Sequence, residues 1–285
     1  MTVPEVRRFD YAHEFLAHAG AYLSAREAEH NLLLGLAGVL TTKPDLYGLA
    51  PYFAAVQREG AVIAAALRTP PHNLVLSEVA EPAAVDALAT DVAEVFGELP
   101  GVLGPRDASV RFAELWSEAT GRRAERAMAE RIFRAATVHA PRGVPGSIRR
   151  ATAGDRSLLV EWFEAFQDEA MGGRSFRPAE DAVDDYLTRG DDSGLYLWED
   201  AEAVSLAGCG GPTPNGIRVG PVYTPPARRG RGYASALTAE LTSLLLSSGR
   251  RFCFLFTDLA NPTSNRIYQR IGYEPVSDVD EYRFE

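Results

Sequence analysis

Two short segments in the second half of the sequence carry residue types that could do chemistry. The first runs from Arg228 to Leu237 and reads RRGRGYASAL. The second, Asn261 to Asn265, reads NPTSN and is followed closely by Tyr268. A glycine-rich turn can bring backbone N–H groups against an anion, and a tyrosine can donate a proton. Both segments are therefore candidates for a binding or catalytic site.

The arginine- and glycine-rich segment lies between a predicted strand and a predicted helix. There the free amides and the dipole of a helix N-terminus favour an anion such as a phosphate. A nucleotide P-loop would need Gly-Lys before Ser or Thr, and the segment has no lysine. A dinucleotide fingerprint would need a third glycine where Ser235 stands, although Asp258 does end the next predicted strand. A dinucleotide fold and a solvated basic turn both remain alternatives.

The second segment has the residues expected at the start of a helix. Asparagine is favoured at the N-cap, here Asn261, and proline at the first helical position, here Pro262. Asn261, Asn265 and Tyr268 are spaced i, i+4 and i+7, so we expect them to share one face of this helix. Without a ligand to protonate, Tyr268 would be an ordinary packing residue.

Helical and strand patterns alternate along the first half of the chain. Helices are predicted within 11–40, 82–96 and 108–120, and strands at 52–56, 61–67, 73–79, 102–103 and 133–138. Residues 57–60, Gln-Arg-Glu-Gly, have the pattern of a hairpin turn. Residues 140–146, with two prolines and two glycines, neither extend a helix nor pair in a sheet, which predicts a linker.

A similar order of elements is predicted after this linker. Strands are expected at 147–151, 194–198, 203–209, 217–223 and 252–257, helices at 155–169, 178–189, 234–248 and 262–271, and a final strand pair ending at Phe284. Alternating helices and strands predict an α/β or α+β fold with a mixed sheet. The two halves are predicted to be a structural duplication.

Composition limits the partners and the compartment. A formal net charge of −10 argues against nonspecific nucleic-acid binding, which needs a basic excess. The sequence lacks a long apolar run, and its start has no apolar signal segment, so we expect a cytoplasmic protein with no membrane partner. Cys209 and Cys253 lack the paired spacing of a zinc site, so no metal is expected.

The two segments together resemble the motifs of a known family. The order Pro226-x-x-Arg229-Gly230-x-Gly232-x-Ala234, a strand, Asn261 and Tyr268 seven apart, and Gly272-Tyr273 is similar to the GNAT superfamily of acyl-CoA-dependent N-acetyltransferases. The resemblance covers roughly residues 147–285. It implies two tandem domains, 1–140 and 147–285, each with a mixed, mostly antiparallel sheet flanked by helices. In the first domain, residues 79–84 read VAEPAA, without glycine or arginine, so we expect no CoA loop there.

The resemblance also implies a set of residues that bind acetyl-CoA, the cosubstrate, with no metal. The pyrophosphate would be held by Arg229, Gly230, Arg231, Gly232, Tyr233 and Ala234, the pantetheine would pair with Val222, Tyr223 and Thr224, and the other side would be lined by Asn261, Ser264 and Asn265. Tyr268 would protonate the departing thiolate as the catalytic residue. Many members of the family place a glutamate on the strand before the loop as base, but strand 217–223 contains no carboxylate. A water relay, Glu164, Asp168, Glu169 or Asp258 remain the alternatives.

The predicted function is transfer of an acetyl group to a primary amine of a small molecule or peptide. The segment from Glu161 to Glu202 contains thirteen acidic residues and only three arginines. The acidic residues would attract a cationic acceptor, or they form a solvated charged surface. A noncatalytic acyl-CoA-binding or sensing module is the alternative, and a nucleotide-binding oxidoreductase is a third. The acyl chain length and the oligomeric state are left open.

Overall fold

The computed structural model describes residues 2–171, 177–188, 190 and 192–285. The chain forms two compact units. The first unit contains Met1–Ile132, Phe256–Asn261 and Val276–Glu285, and the second contains Phe133–Leu255 and Pro262–Pro275. The domain boundaries at residues 140 and 147 stay a prediction.

In the described residues, one order of ten helices and strands occurs twice along the chain. The first set is β1 Glu5–Phe9, α1 Ala12–Ala25, α2 Asn31–Thr42, β2 Tyr52–Arg58, β3 Ala61–Arg68, β4 Leu74–Leu76, α3 Pro82–Val95, β5 Gly101–Pro105, α4 Arg106–Thr120 and β6 Ala124–Ala135. The second set is β7 Ser147–Arg150, α5 Arg156–Met171, α6 Ala179–Thr188, β8 Gly194–Asp200, β9 Glu202–Gly210, β10 Gly216–Tyr223, α7 Tyr233–Ser247, β11 Phe252–Asp258, α8 Pro262–Arg270 and β12 Glu274–Phe284. The predicted recurrence of the order of elements is confirmed.

In the first unit the strands lie in the order β1-β2-β3-β4-β5-β12-β6. The pairing of β4 with β5 is parallel, whereas β1, β2 and β3 pair antiparallel with their neighbours. Side chains that alternate along β2 enter two different cores. Tyr52 and Ala54 pack with α3 and α4, and Phe53 packs with α1 and α2. Helices therefore cover both faces of this sheet.

In the second unit the strand order is β11-β10-β9-β8-β7. Only the β10–β11 pairing is parallel among the registers described for these five strands. Leu237 and Leu241 of α7 pack on one core, which also takes up the free thiols of Cys209 and Cys253. Phe163 of α5 belongs to a separate core together with residues of α6, β8 and β9. The predicted fold class, mixed sheets flanked by helices, is confirmed.

Several predicted elements differ from the structure. The helical pattern at 11–40 forms two helices, because residues 26–30, four of which are polar or charged, make a turn between them. The strand predicted at 133–138 is the end of β6, which begins at Ala124, and the predicted final strand pair is the single strand β12. Strand β1 was not predicted. These strands are rich in charged residues, so their pairing partners determine the strand conformation against local propensity. Arg189, the last residue of the helix predicted at 178–189, lies outside the described residues.

No helix in the described part of the chain is long and apolar enough to cross a membrane.

Candidate functional site

The carboxyl half of β10 is held by strand pairing along one edge. Its register with β9 shifts between Val219 and Val222, which lie opposite Cys209 and Ala207, so one extra residue of β10 forms a bulge. The parallel register with β11 covers only 216–218 and 252–254. Among the described pairings, β10 therefore leaves β11 before its end, and Val222 to Thr224 have no described pairing on that side.

The loop between β10 and α7 presents a run of free backbone amides. Residues 226–228 form one 3₁₀ turn, and the first bond of the helix N-terminus is donated by the Ala236 N–H to the Gly232 carbonyl. Within the described residues, the N–H groups of Gly230 to Ser235 have no acceptor in the protein. They sit at the positive end of the dipole of α7, so this loop has the donor set of an anion site.

Two glycines give the loop its shape. Gly230 and Gly232 have φ angles of 78° and 85°, in the left-handed region that side chains other than glycine rarely adopt. A Cβ atom at Gly232 would lie 3.1 Å from Cγ2 of Val144, whereas one at Gly230 would meet no heavy atom within 4 Å. Gly232 therefore has both a backbone and a packing reason to be glycine.

Arg229 connects the loop with its surroundings. Its Nε donates to the Thr224 carbonyl at 2.9 Å, and its guanidinium lies 5.9 Å from the centre of the Tyr223 ring. Its Nη2 donates to the carboxylate of Glu169 on α5 at 2.5 Å. The structure thus brings three of the predicted cofactor-binding residues, Tyr223, Thr224 and Arg229, into contact.

Further carboxylates surround the loop. Arg228 forms an ion pair with Glu202, and the Tyr233 hydroxyl donates to Asp200 at 2.5 Å. Arg231 is exposed and, in the part of the chain that the structure describes, makes no ion pair or hydrogen bond. The positive charge of the loop is therefore largely neutralised by neighbouring acidic side chains.

The remaining predicted cofactor-binding residues lie at the start of α8. Asn261 is exposed and directly precedes the helix, and Ser264 and Asn265 are partly buried in its first turn. Ala234 is partly buried in the first turn of α7.

Tyr268 is partly buried, with its ring in the core of the second unit. The ring lies 6.4 Å from that of Phe133 and 6.0 Å from that of Tyr273, measured between centroids. Burial raises the pKa of Tyr268 to about 12. Its hydroxyl makes no hydrogen bond with the described residues. The geometry presents a neutral phenol with a free proton donor.

The four carboxylates considered as a base have different surroundings. Glu164 and Asp168 on α5 are exposed and have no partner in the described residues. Glu169 is engaged by Arg229, and the carboxylate of Asp258 accepts a hydrogen bond from the Ala260 N–H at 2.8 Å. Glu164, Asp168 and Glu169 are all exposed, whereas a catalytic base is often buried.

Two aromatic side chains at β10 were missed by the sequence analysis. The Tyr186 hydroxyl of α6 donates to the Gly220 carbonyl at the bulge, at 3.3 Å. The Trp162 ring of α5 lies 6.2 Å from the Tyr223 ring. Their position on the inner faces of two amphipathic helices was the available signal, but it did not identify the strand that they contact.

The segment between β4 and α3 has the same place in the first set of elements as the glycine loop has in the second. There the Glu78 N–H donates to Nε2 of His30 at 3.0 Å, and the Tyr22 hydroxyl donates to the Glu78 carbonyl at 2.7 Å. Burial lowers the pKa of His30, which keeps Nε2 free to accept this bond. The carboxylate of Glu81, which precedes α3, forms an ion pair with Arg58. Side chains of the protein therefore occupy the backbone N–H and carbonyl of Glu78 in this segment.

Residues 159–273 match the model of the acetyltransferase (GNAT) family. No curated protein matches the chain significantly.

Solved structures match over nearly the whole chain. A Drosophila protein of 14% identity covers 98% of both chains with a TM-score of 0.67. A tandem GNAT protein from the clavulanic acid biosynthesis pathway, of 12% identity, covers 98% of this chain and 97% of its own with a TM-score of 0.58. An acetyltransferase of the GNAT family from Colwellia psychrerythraea, of 11% identity, covers 99% of this chain and 100% of its own with a TM-score of 0.56. At these identities the likeness establishes the fold.

Proposed function

We propose that the chain is an N-acetyltransferase that moves the acetyl group of acetyl-CoA to a primary amine, a proposal supported by the match of residues 159–273 to the model of the GNAT acetyltransferase family. The observation that carries the proposal is the run of backbone N–H groups from Gly230 to Ser235, free of acceptors in the described structure, at the N-terminus of α7. A pyrophosphate suits such a run, because it offers several oxygens to successive amides.

The other groups around the loop fit the rest of the cofactor. The segment Val222 to Thr224, which has no described pairing with β11, is proposed to offer backbone groups to the amides of the pantetheine arm, as a sheet edge does to an added strand. Acetyl-CoA supplies an activated thioester, and an amine held beside it attacks the carbonyl carbon directly. The protein then binds and orients acetyl-CoA and the amine and exchanges protons with them, without forming a covalent enzyme intermediate.

Tyr268 is the proposed general acid. When the C–S bond breaks, the thiolate of CoA takes up the proton of the Tyr268 hydroxyl, which is regained from solvent. A tyrosine is protonated at neutral pH, and burial raises the pKa of Tyr268 further, so the proton is available for this transfer.

The acceptor is proposed to be cationic. Glu161, Glu164 and Asp168 share one face of α5 by their i, i+3 and i+7 spacing, and none of them has an ion-pair partner among the described residues. Carboxylates without counter-ions draw a protonated amine toward the site. The amine must lose a proton before it attacks, and a water relay to this surface is the proposed route.

A noncatalytic acyl-CoA-binding module is the second candidate. The observation that favours it is that β10 has no carboxylate and that Glu169, the potential base nearest to the loop, is held by Arg229. The same cofactor site would then serve sensing without transfer.

Two assays separate these functions. A thermal-shift screen with acetyl-CoA, CoA and NAD is expected to raise the melting temperature with the first two only. Release of the CoA thiol is then followed with a panel of cationic, neutral and anionic primary amines. Transfer to a cationic amine supports the enzyme, CoA binding without transfer to any amine supports the binding module, and stabilisation by NAD alone contradicts both.

A further inference from the structure

The ion pair between Arg229 and Glu169 lies where the cofactor loop begins. The two side chains are 48% and 45% exposed, so the pair is at the surface and weak enough to exchange partners. The next residue, Gly230, opens the run of free amides described above. The guanidinium is also anchored from behind by the Thr224 carbonyl and the Tyr223 ring. Arg229 can therefore release the carboxylate without losing its position.

We propose that Glu169 is a competing counter-ion for the cofactor. It holds Arg229 when the site is free of CoA and yields Arg229 to the pyrophosphate when CoA binds. Glu169 is thus a positioning residue that lowers CoA affinity and speeds the release of product CoA. The inference rests on the proposed function, because it requires CoA at this loop.

Charge explains the direction of the effect. A carboxylate and a pyrophosphate that approach the same guanidinium repel each other, and each phosphate interaction with Arg229 must first displace Glu169. Two like charges about 5 Å apart at a hydrated surface disfavour the bound state by about fivefold, which corresponds to about 1 kcal/mol. A variant with a neutral side chain of the same shape at position 169 should therefore bind CoA more tightly than the wild type.

The test measures CoA affinity by calorimetry for the wild type, Glu169→Gln, Arg229→Gln and the double variant. Glu169→Gln is expected to lower the Kd by about three- to tenfold, and KM for acetyl-CoA with it. Glu169→Asp keeps the charge and should stay near the wild type. Glu118→Gln makes the same change of net charge at an exposed carboxylate of α4 that, in the described residues, has no ion-pair partner, and it should change the Kd by less than about twofold.

The double variant tests whether Glu169 acts through Arg229. In the Arg229→Gln background, Glu169→Gln should raise CoA affinity by less than about twofold, because the guanidinium for which Glu169 and the pyrophosphate compete is gone. An unchanged or weaker affinity in Glu169→Gln, or the same gain with and without Arg229, would overturn the inference while leaving the cofactor site in place. If the wild type itself binds no CoA, the proposed function falls as well.

Discussion

At the scale of single residues, the phenol of Tyr268 combines a ring packed in the core with a hydroxyl that has no protein partner in the described structure. Its neighbour Tyr273 differs in one respect, because its hydroxyl is hydrogen-bonded to Thr242 at 2.7 Å. The two tyrosines therefore offer a matched pair, one with a free proton donor and one with a structural hydroxyl.

Tyr268→Phe should lower kcat toward the lower end of the range for general acid catalysis, about 10²-fold, because a CoA thiolate is already a fair leaving group. CoA affinity and melting temperature should change little, since the ring stays. Tyr273→Phe should do the opposite, costing about 1 kcal/mol of stability through the lost hydrogen bond and sparing kcat. Steady-state kinetics and thermal unfolding of both variants check this, and an unchanged kcat in Tyr268→Phe would contradict the acid assignment.

The pH profile tests the same proton. A tyrosine acts as an acid only while protonated, and the pKa of Tyr268 is raised from 10.0 to about 12. With saturating acceptor, kcat should therefore hold as the pH rises through about 10, where an unperturbed tyrosine would already be half ionised. A decline centred near or below that pH, in a protein still folded by circular dichroism, would mean that the essential acid is another group.

At the scale of elements, the glycine loop and the N-terminus of α7 form the candidate phosphate site. Gly232 before the helix and Gly249 after it both have positive φ angles, 85° and 103°. Alanine at either position costs stability through the backbone, typically about 1 kcal/mol. Gly232→Ala should also weaken CoA binding at least about tenfold, because it moves the amides that face the phosphate.

Gly249→Ala is the matched control for this prediction and should leave the Kd for CoA unchanged. Arg231→Ala removes only an exposed, screened charge and should weaken binding by less than about threefold. Calorimetric titration of CoA into Gly232→Ala, Gly249→Ala and Arg231→Ala compares the loss of affinity caused by a changed backbone with that caused by a lost charge. If Arg231→Ala cost as much affinity as Gly232→Ala, the loop would act through its charge rather than through its amides.

The exposed face of α5 is predicted to select the acceptor. Glu164→Gln should raise KM for a cationic amine by about two- to fivefold, because one unpaired carboxylate is removed from the approach path, and should leave KM for a neutral amine unchanged. High salt should erase the difference. Initial rates with two acceptors of similar size check this, and an equal change for both would point to a packing effect.

The sequence predicted elements whose signal is local and missed those determined by pairing. The hairpin at 57–60, the start of α8 at Pro262 and the glycine loop before α7 carry turn or cap residues that act within a few positions. Strand β1, Glu5–Phe9, and most of β6 contain charged residues whose strand conformation depends on distant partners. The contact of Arg229 with Glu169 was missed for the same reason, since sixty positions separate them.

At the scale of the whole molecule, the same order of ten elements occurs twice in the described residues, as a duplication would produce. The second copy has glycines and free amides between β10 and α7. In the first copy, His30 and Tyr22 occupy the backbone groups of Glu78, and Glu81 places a carboxylate before α3. The chain is therefore predicted to hold one CoA.

The most direct measurement is a calorimetric titration of CoA into the full chain and into its Gly232→Ala variant. The account predicts one equivalent of CoA per chain for the wild type, and the same stoichiometry with clearly weaker affinity for Gly232→Ala. Two equivalents per chain, no binding at all, or an affinity that Gly232→Ala leaves unchanged would contradict a single cofactor site built on the loop before α7.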